Sequence, residues 1–163
     1  MKETSHPGQS VEIIEFHKRY TRHFRDLNYE WLEKYFVVEP YDRIILNDPL
    51  KQIIKLGGYI FFARVGKEIV GTCALLKHND KKYELAKMGV TERYQGCGIG
   101  RRLARAAVSK AREVGAGSIV LATSHLLPAA NHLYQSMGFE YVDLSVIGPL
   151  PYSRETIVMA MDL

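Results

Sequence analysis

A chain of 163 residues, 47% apolar and 25% charged, has the length and composition of one ordinary globular domain that can bury a real core. No apolar run approaches 18 residues, so no membrane span is expected, and no signal-like apolar segment opens the chain. The net charge is +4, and two cysteines do not suggest a disulfide framework; a reduced, cytoplasmic setting fits best. Residues 1–10 are polar and contain Pro7-Gly8; they read as a flexible tail, and 11–163 as a single domain. Residues 11–16 predict a strand. Residues 17–36 predict a helix, with Tyr20, Phe24, Leu27, Trp31 and Tyr35 spaced along one face. Pro40 breaks that pattern. A short helical piece follows at 42–47, and Asp48-Pro49 reads as the cap and first residue of another that stops at Gly57-Gly58. Residues 59–65 and 68–77 predict a hairpin around Gly66-Lys67. A turn at 78–80 leads to a strand over 83–90. A long helix begins near Ile99 and ends at Gly115, its buried stripe read as Ile99, Leu103, Ala106, Ala107, Lys110 and Val114. A strand over 118–123, a helix over 128–137 and strands over 139–146 and 156–161 complete the chain.

The most informative segment is Tyr94-Gln95-Gly96-Cys97-Gly98-Ile99-Gly100-Arg101-Arg102, between a predicted strand and a predicted helix. Glycine admits positive φ and close backbone approach. A helix that opens on such a turn presents free N–H groups and a positive dipole end to an anion. A P-loop would need Lys-Ser/Thr after the last glycine, where Arg101-Arg102 stands. A dinucleotide fingerprint would need a third glycine at Arg101 and an acid near 117–121, and both are missing. The pattern [QR]-x-x-G-x-[GA] is met by Gln95, Gly98 and Gly100. Farther on, Ala130-x-x-Leu133-Tyr134-x-x-x-Gly138-Phe139 follows Pro128 at a helix start, with Gly138 placed to end the helix.

These two segments, in this order, resemble the signatures of the GNAT superfamily of acyl-CoA-dependent N-acetyltransferases. The resemblance extends over most of the chain and is strongest from Tyr83 to Phe139. It implies an α/β (α+β) fold: a mixed, largely antiparallel central sheet of about six to seven strands with helices on both faces. It also implies that the strands flanking the Gly-loop helix splay apart to admit the cofactor. The implied reaction is direct acetyl transfer from acetyl-CoA to a primary amine in a ternary complex. Gln95, Gly96, Cys97, Gly98, Ile99, Gly100 and Arg101 would hold the pyrophosphate. The backbone of Met88, Gly89 and Val90 would pair with the pantetheine arm like an added strand.

On that resemblance Tyr134 is the general acid for the departing CoA thiolate, since a phenol donates without being ionised at neutral pH. Glu84 is the candidate base, with His125 or water as substitutes. Alternatively Glu84 pairs with Lys82 or Lys87 on the sheet surface. Asn131, one turn before Tyr134, either contacts the pantetheine or is solvated. Trp31, Tyr35, Tyr152 and Arg154 are candidates for the acceptor pocket, with Tyr41 beside them. Arg154 suits either a substrate carboxylate or a surface ion pair. An asparagine that many family members carry ahead of the Tyr134 helix is missing from Ser124-His125-Leu126-Leu127. Cys97 lies at the wrong end of the cofactor for attack on a thioester. No metal and no nucleic acid are expected; the Arg93, Arg101, Arg102, Arg105, Lys110 and Arg112 cluster reads as steering for a polyanionic cofactor. A homodimer is compatible with the exposed sheet edges. The alternatives are an acyl-CoA-binding sensor without turnover and a nucleotide-binding domain using the same loop.

Overall fold

The computed structural model describes residues 10–163. The tail reading therefore falls, Ser10 aside, outside the described residues. Seven strands form one sheet: β1 (Val11–Glu15), β2 (Tyr59–Val65), β3 (Glu68–Lys77), β4 (Lys82–Val90), β5 (Ser118–Thr123), β6 (Glu140–Val142) and β7 (Ile157–Asp162), in spatial order β1-β2-β3-β4-β5-β7-β6. Every neighbouring pair is antiparallel except β4 with β5. That parallel step needs a crossover, and α3 (Ile99–Glu113) supplies it. On one face α3 and α4 (Pro128–Met137) cover a core around Leu85, Leu103 and Phe139; on the other, α1 (Thr21–Tyr35) and α2 (Pro40–Asn47) cover Phe24, Ile45 and Phe62.

The elements depart from the sequence reading at identifiable places. Pro40 does not interrupt a helix but starts one. It occupies the first turn of α2, where its missing N–H is no loss, behind a capping box made by Glu39 and Asp42. The first helix divides: Lys18–Tyr20 is a 3₁₀ turn, capped by His17 Nδ1 accepting from Arg19 N, and α1 begins at Thr21. After Asp48, whose carboxylate accepts from Lys51 N, the chain makes a π-helical turn at Leu50–Ile54. The strand predicted over 139–146 is only three residues long, Glu140–Val142. Asp143 ends it by accepting the Ser145 amide at 2.9 Å, an Asx turn that leads into a 3₁₀ turn over Leu144–Val146. In α3 the buried stripe is Ile99, Leu103, Ala104, Ala107, Val108 and Ala111. Lys110 instead leaves the core to bind Glu15 and Glu113.

Two irregularities prepare the site. First, β4 pairs with β5 only from Lys82↔Ser118 to Glu84↔Val120. Beyond Glu84, β4 follows β3 as far as Val90↔Gly71 while β5 follows β7 as far as Thr123↔Ile157. The strands therefore part, leaving the inner edge of β4 from Leu85 to Val90 without a strand partner. Second, β4 carries a bulge: the register with β3 slips between Thr72 and Ala74, opposite Lys87 and Met88. Lys87 lies there at φ +52°. A strand alternates faces, and Tyr83 and Leu85 point into the α3 core. Without the bulge Lys87 would join them. The extra residue instead turns Ala86 and Lys87 to the same side, and Met88 and Val90 back to the α3 face.

Candidate active site

Where β4 ends, the side-chain amide of Gln95 donates to the Val90 carbonyl at 2.9 Å, tying the loop to the strand. Gly96 and Gly98 sit at φ +79° and +78°. Nothing lies within 4 Å of where their Cβ atoms would be, so these glycines are required for backbone conformation rather than for space. Gly98 is the N-cap of α3 and supplies no side-chain cap. The first amides of a 15-residue helix thus face outward from an exposed loop, as an anion site requires. Gly100 is different: a Cβ there would only touch Leu133 at 3.6 Å. Arg101 bonds Ser136 Oγ at 2.9 Å, bracing the loop against α4. Cys97 is exposed in the loop and Cys73 is buried in β3; neither forms a disulfide.

On the α3 side of the splay stands Tyr134, 8% exposed, its ring edge-on to Phe139 at 5.9 Å. Burial, and then the neighbouring Cys73, push its phenol well above the usual range. Among the described residues no group is hydrogen-bonded to its hydroxyl, and no buried side-chain oxygen or nitrogen lacks a partner. The hydroxyl therefore keeps contact with solvent at the open edge. Asn131 is buried rather than solvated. It accepts from Thr123 Oγ1 at 2.6 Å and donates to the Ser124 carbonyl at 2.9 Å, fastening α4 to the end of β5. His125 and His132 are exposed.

On the opposite face a cavity of about 330 Å³ opens between α1, α2, the ends of β3, β4 and β5, and the segment 147–156. Trp31, Phe36, Ile53, Leu76 and Leu150 supply apolar walls. Trp31 is held by two devices. Its indole N–H donates to Asn28, itself buried and bonded back to the Phe24 carbonyl. Gly89 lets the indole lie directly on β4, since a Cβ there would meet Trp31 Cδ1 at 2.7 Å. Tyr35 is not a cavity wall; it is 43% exposed, with the Lys34 ammonium over its ring.

The polar part of the cavity has two clusters. Glu84 is not paired with Lys82 or Lys87. Its partner is His78, whose Nε2–H donates to Oε1 at 2.7 Å, and both line the cavity. The turn at 78–80 carried no chemical signal in the sequence, because the hairpin register that sets His78 beside Glu84 is a tertiary fact. The second cluster is built on Asp42, fully buried at the start of α2. Lys87 Nζ bonds Asp42 Oδ1 at 3.0 Å and donates to Tyr152 Oη at 2.7 Å. Burial pulls the Lys87 ammonium below its usual range, against the opposing pull of Asp42. Arg154 bonds both Asp42 Oδ2 and Glu39 Oε2 and stacks on the Tyr152 ring. Glu39 also accepts the Ser153 amide and hydroxyl, each at 2.8 Å. The Ser153 amide above all, with the Ser153 hydroxyl and Arg154, lowers the Glu39 carboxyl to about 2 despite its desolvation. Asp42, Glu39 and Lys87 had no place among the residues read from the sequence as pocket or catalytic groups.

Residues 15–139 match the model of the acetyltransferase (GNAT) family. An uncharacterized N-acetyltransferase YvbK of Bacillus subtilis is 34% identical over 104 residues, 62% of this chain and 67% of that protein. N-acetyltransferase 8F1 of Rattus norvegicus is 32% identical over 103 residues, 60% of this chain and 47% of its own length. The chain thus spans about half the length of that relative. Among solved structures, a GNAT-family acetyltransferase of Staphylococcus aureus Mu50 superposes with a TM-score of 0.84 at 21% identity, covering 94% of this chain and 99% of that one. A GNAT acetyltransferase of Elizabethkingia anophelis with acetyl-CoA bound gives 0.63 at 22% identity, covering 94% and 98%.

Proposed function

This chain belongs to the acetyltransferase (GNAT) family, and from that premise we propose that it transfers an acetyl group from acetyl-CoA to a primary amine. The observation that carries the reading is the parted pair β4/β5, with a glycine-opened helix N-terminus at the foot of β4. The free inner edge of β4 suits an extended amide-bearing arm, and the outward amides of Gly98–Arg101 suit a pyrophosphate. Asn131 acts as a strut that keeps α4, and with it Tyr134, against the end of β5. That a solved family member carries acetyl-CoA on this fold agrees with the assignment.

The amine enters from the cavity on the far side of the sheet. Glu84 accepts the proton that the incoming ammonium must lose, and His78 fixes its carboxylate. The neutral nitrogen then attacks the thioester carbonyl, sheds its second proton to water as the amide forms, and the carbon–sulfur bond breaks. Tyr134, protonated because it is buried, gives its proton to the leaving thiolate. Trp31 and Tyr152 would border the acceptor, while Arg154 is engaged by Glu39 and Asp42.

The first test is the thermal midpoint with acetyl-CoA, CoA, ATP and NAD. Ligand at 100 times its dissociation constant stabilises by about 2.7 kcal/mol. Acetyl-CoA and CoA should raise the midpoint, and Gly98→Val, which forces a branched residue into a left-handed conformation, should weaken that effect. Stabilisation by ATP or NAD alone would sink the acetyl-CoA assignment. Binding without acetylation of any amine would make the chain a sensor.

A further inference from the structure

Charge bookkeeping in the cavity narrows the acceptor, given the transferase reading above. The acidic and basic side chains that line it are Lys77, His78, Glu84, Lys87 and Arg154. Lys77, at the rim, pairs with Asp80 at 2.9 Å. Lys87 is bonded to Asp42, and Arg154 to both Asp42 and Glu39. Asp42 is fully buried and the Lys87 side chain is 7% exposed. Two cations are thus matched by two carboxylates already in place. A substrate carboxylate entering here would lose its water and meet Asp42 and Glu39 as like charges, and every lysine and arginine among the described lining residues already has a carboxylate partner. A substrate ammonium meets the opposite situation, because among the described residues Glu84 is hydrogen-bonded to the His78 ring and to no lysine or arginine. The remaining walls are apolar, with Trp31, Phe36 and Leu76 among them.

We infer that the acceptor is a primary amine on an uncharged aromatic or aliphatic body, with its ammonium at Glu84–His78, and that amines bearing an α-carboxylate are rejected by the closed Lys87–Asp42–Arg154–Glu39 cluster. The sequence alone allowed the contrary, since Arg154 read as a possible carboxylate clamp.

The test compares three amines of one shape: 2-phenylethylamine, phenylalanine and phenylalanine methyl ester, with CoA release as the readout. The expected kcat/KM for the amine and the ester is at least tenfold above that for phenylalanine. Glu39→Gln keeps an oxygen for the α2 cap but frees Arg154 of one charge, and should narrow the gap several-fold at an unchanged fold. Phenylalanine as good a substrate as the amine overturns the inference and leaves the transferase reading intact. A gap that Glu39→Gln does not move overturns its ion-pair basis. If none of the three is acetylated the inference also fails, and a lysine-containing peptide assayed alongside shows whether transfer itself survives.

Discussion

Tyr134 and Lys87 show how one environment, burial, serves opposite ends of the site. For Tyr134, burial holds the proton on the phenol, the form the proposed acid role requires. Tyr134→Phe should lower kcat by about 10²- to 10⁴-fold, the usual worth of general acid catalysis, with acetyl-CoA binding and thermal midpoint unchanged. An unchanged kcat would show that the thiolate leaves unaided. For Lys87, burial disfavours the charged form, and Asp42 is what keeps the pair in place. Lys87→Met leaves a fully buried carboxylate with one charged partner fewer, a loss of about 1–3 kcal/mol. Urea unfolding measures it, and an unmoved midpoint would mean that Arg154 alone satisfies Asp42. The same residue marks a limit of reading from sequence. Glu84, Lys87 and Arg154 are visible as charges on a strand and a loop. Which of them pair depends on a bulge that sets Lys87 on the same face as Ala86 and on a helix start that aims Asp42 at it. Neither has a local signature.

Among the elements, the segment after β6 is tied to the start of α2 through Glu39, on which Ser153 and Arg154 both dock. The Glu39 carboxyl falls from its ordinary 4.5 to about 2 in the folded state. Between those values the unfolded chain binds the extra proton, so stability rises with pH across that window. The contribution is complete above about 4.5 and is lost as pH falls through 2. The Ser153 amide shift followed by NMR should titrate near pH 2 and not near 4.5, and Glu39→Gln should remove the transition. A midpoint at the ordinary value would mean that the strap is open in solution. Where local chemistry decides, the elements were legible: the Gly loop, the Pro128 start and Gly138 end of α4, and the hairpin of β2 and β3 all stand as read. The short helix was read from 42 rather than from Pro40, because proline breaks a helix interior yet favours a first turn, and the Glu39–Asp42 capping box is what marks the start. The strand over 139–146 was misread because its apolar run hid the Asx turn at Asp143.

For the whole molecule the decisive feature is a sheet that is continuous at one end and divided at the other. Three paired positions join β4 to β5, after which each strand keeps its outer neighbour and loses its inner one. No helix among the described residues is long and apolar enough to cross a membrane. The division separates two chemistries. Tyr134 and the Gly loop lie toward the α3 face, and Glu84, His78 and the apolar cavity lie toward α1 and α2. On the proposed reading, an acyl donor in the gap would be reached by Tyr134 from one side and by the amine from the other, and neither would have to cross the sheet. If that is how the fold works, donor binding completes the sheet without moving it. Acetyl-CoA should slow amide hydrogen exchange at Met88–Val90, by strand-like pairing, and at Gly98–Arg101, by amide bonds to phosphate. Exchange in β1 and β2, whose ladder is already closed, should stay as it was. Protection spread evenly over all seven strands would indicate global stabilisation alone, and protection absent from Met88–Val90 would remove the added-strand role of β4 while leaving the phosphate loop to be judged by its own amides.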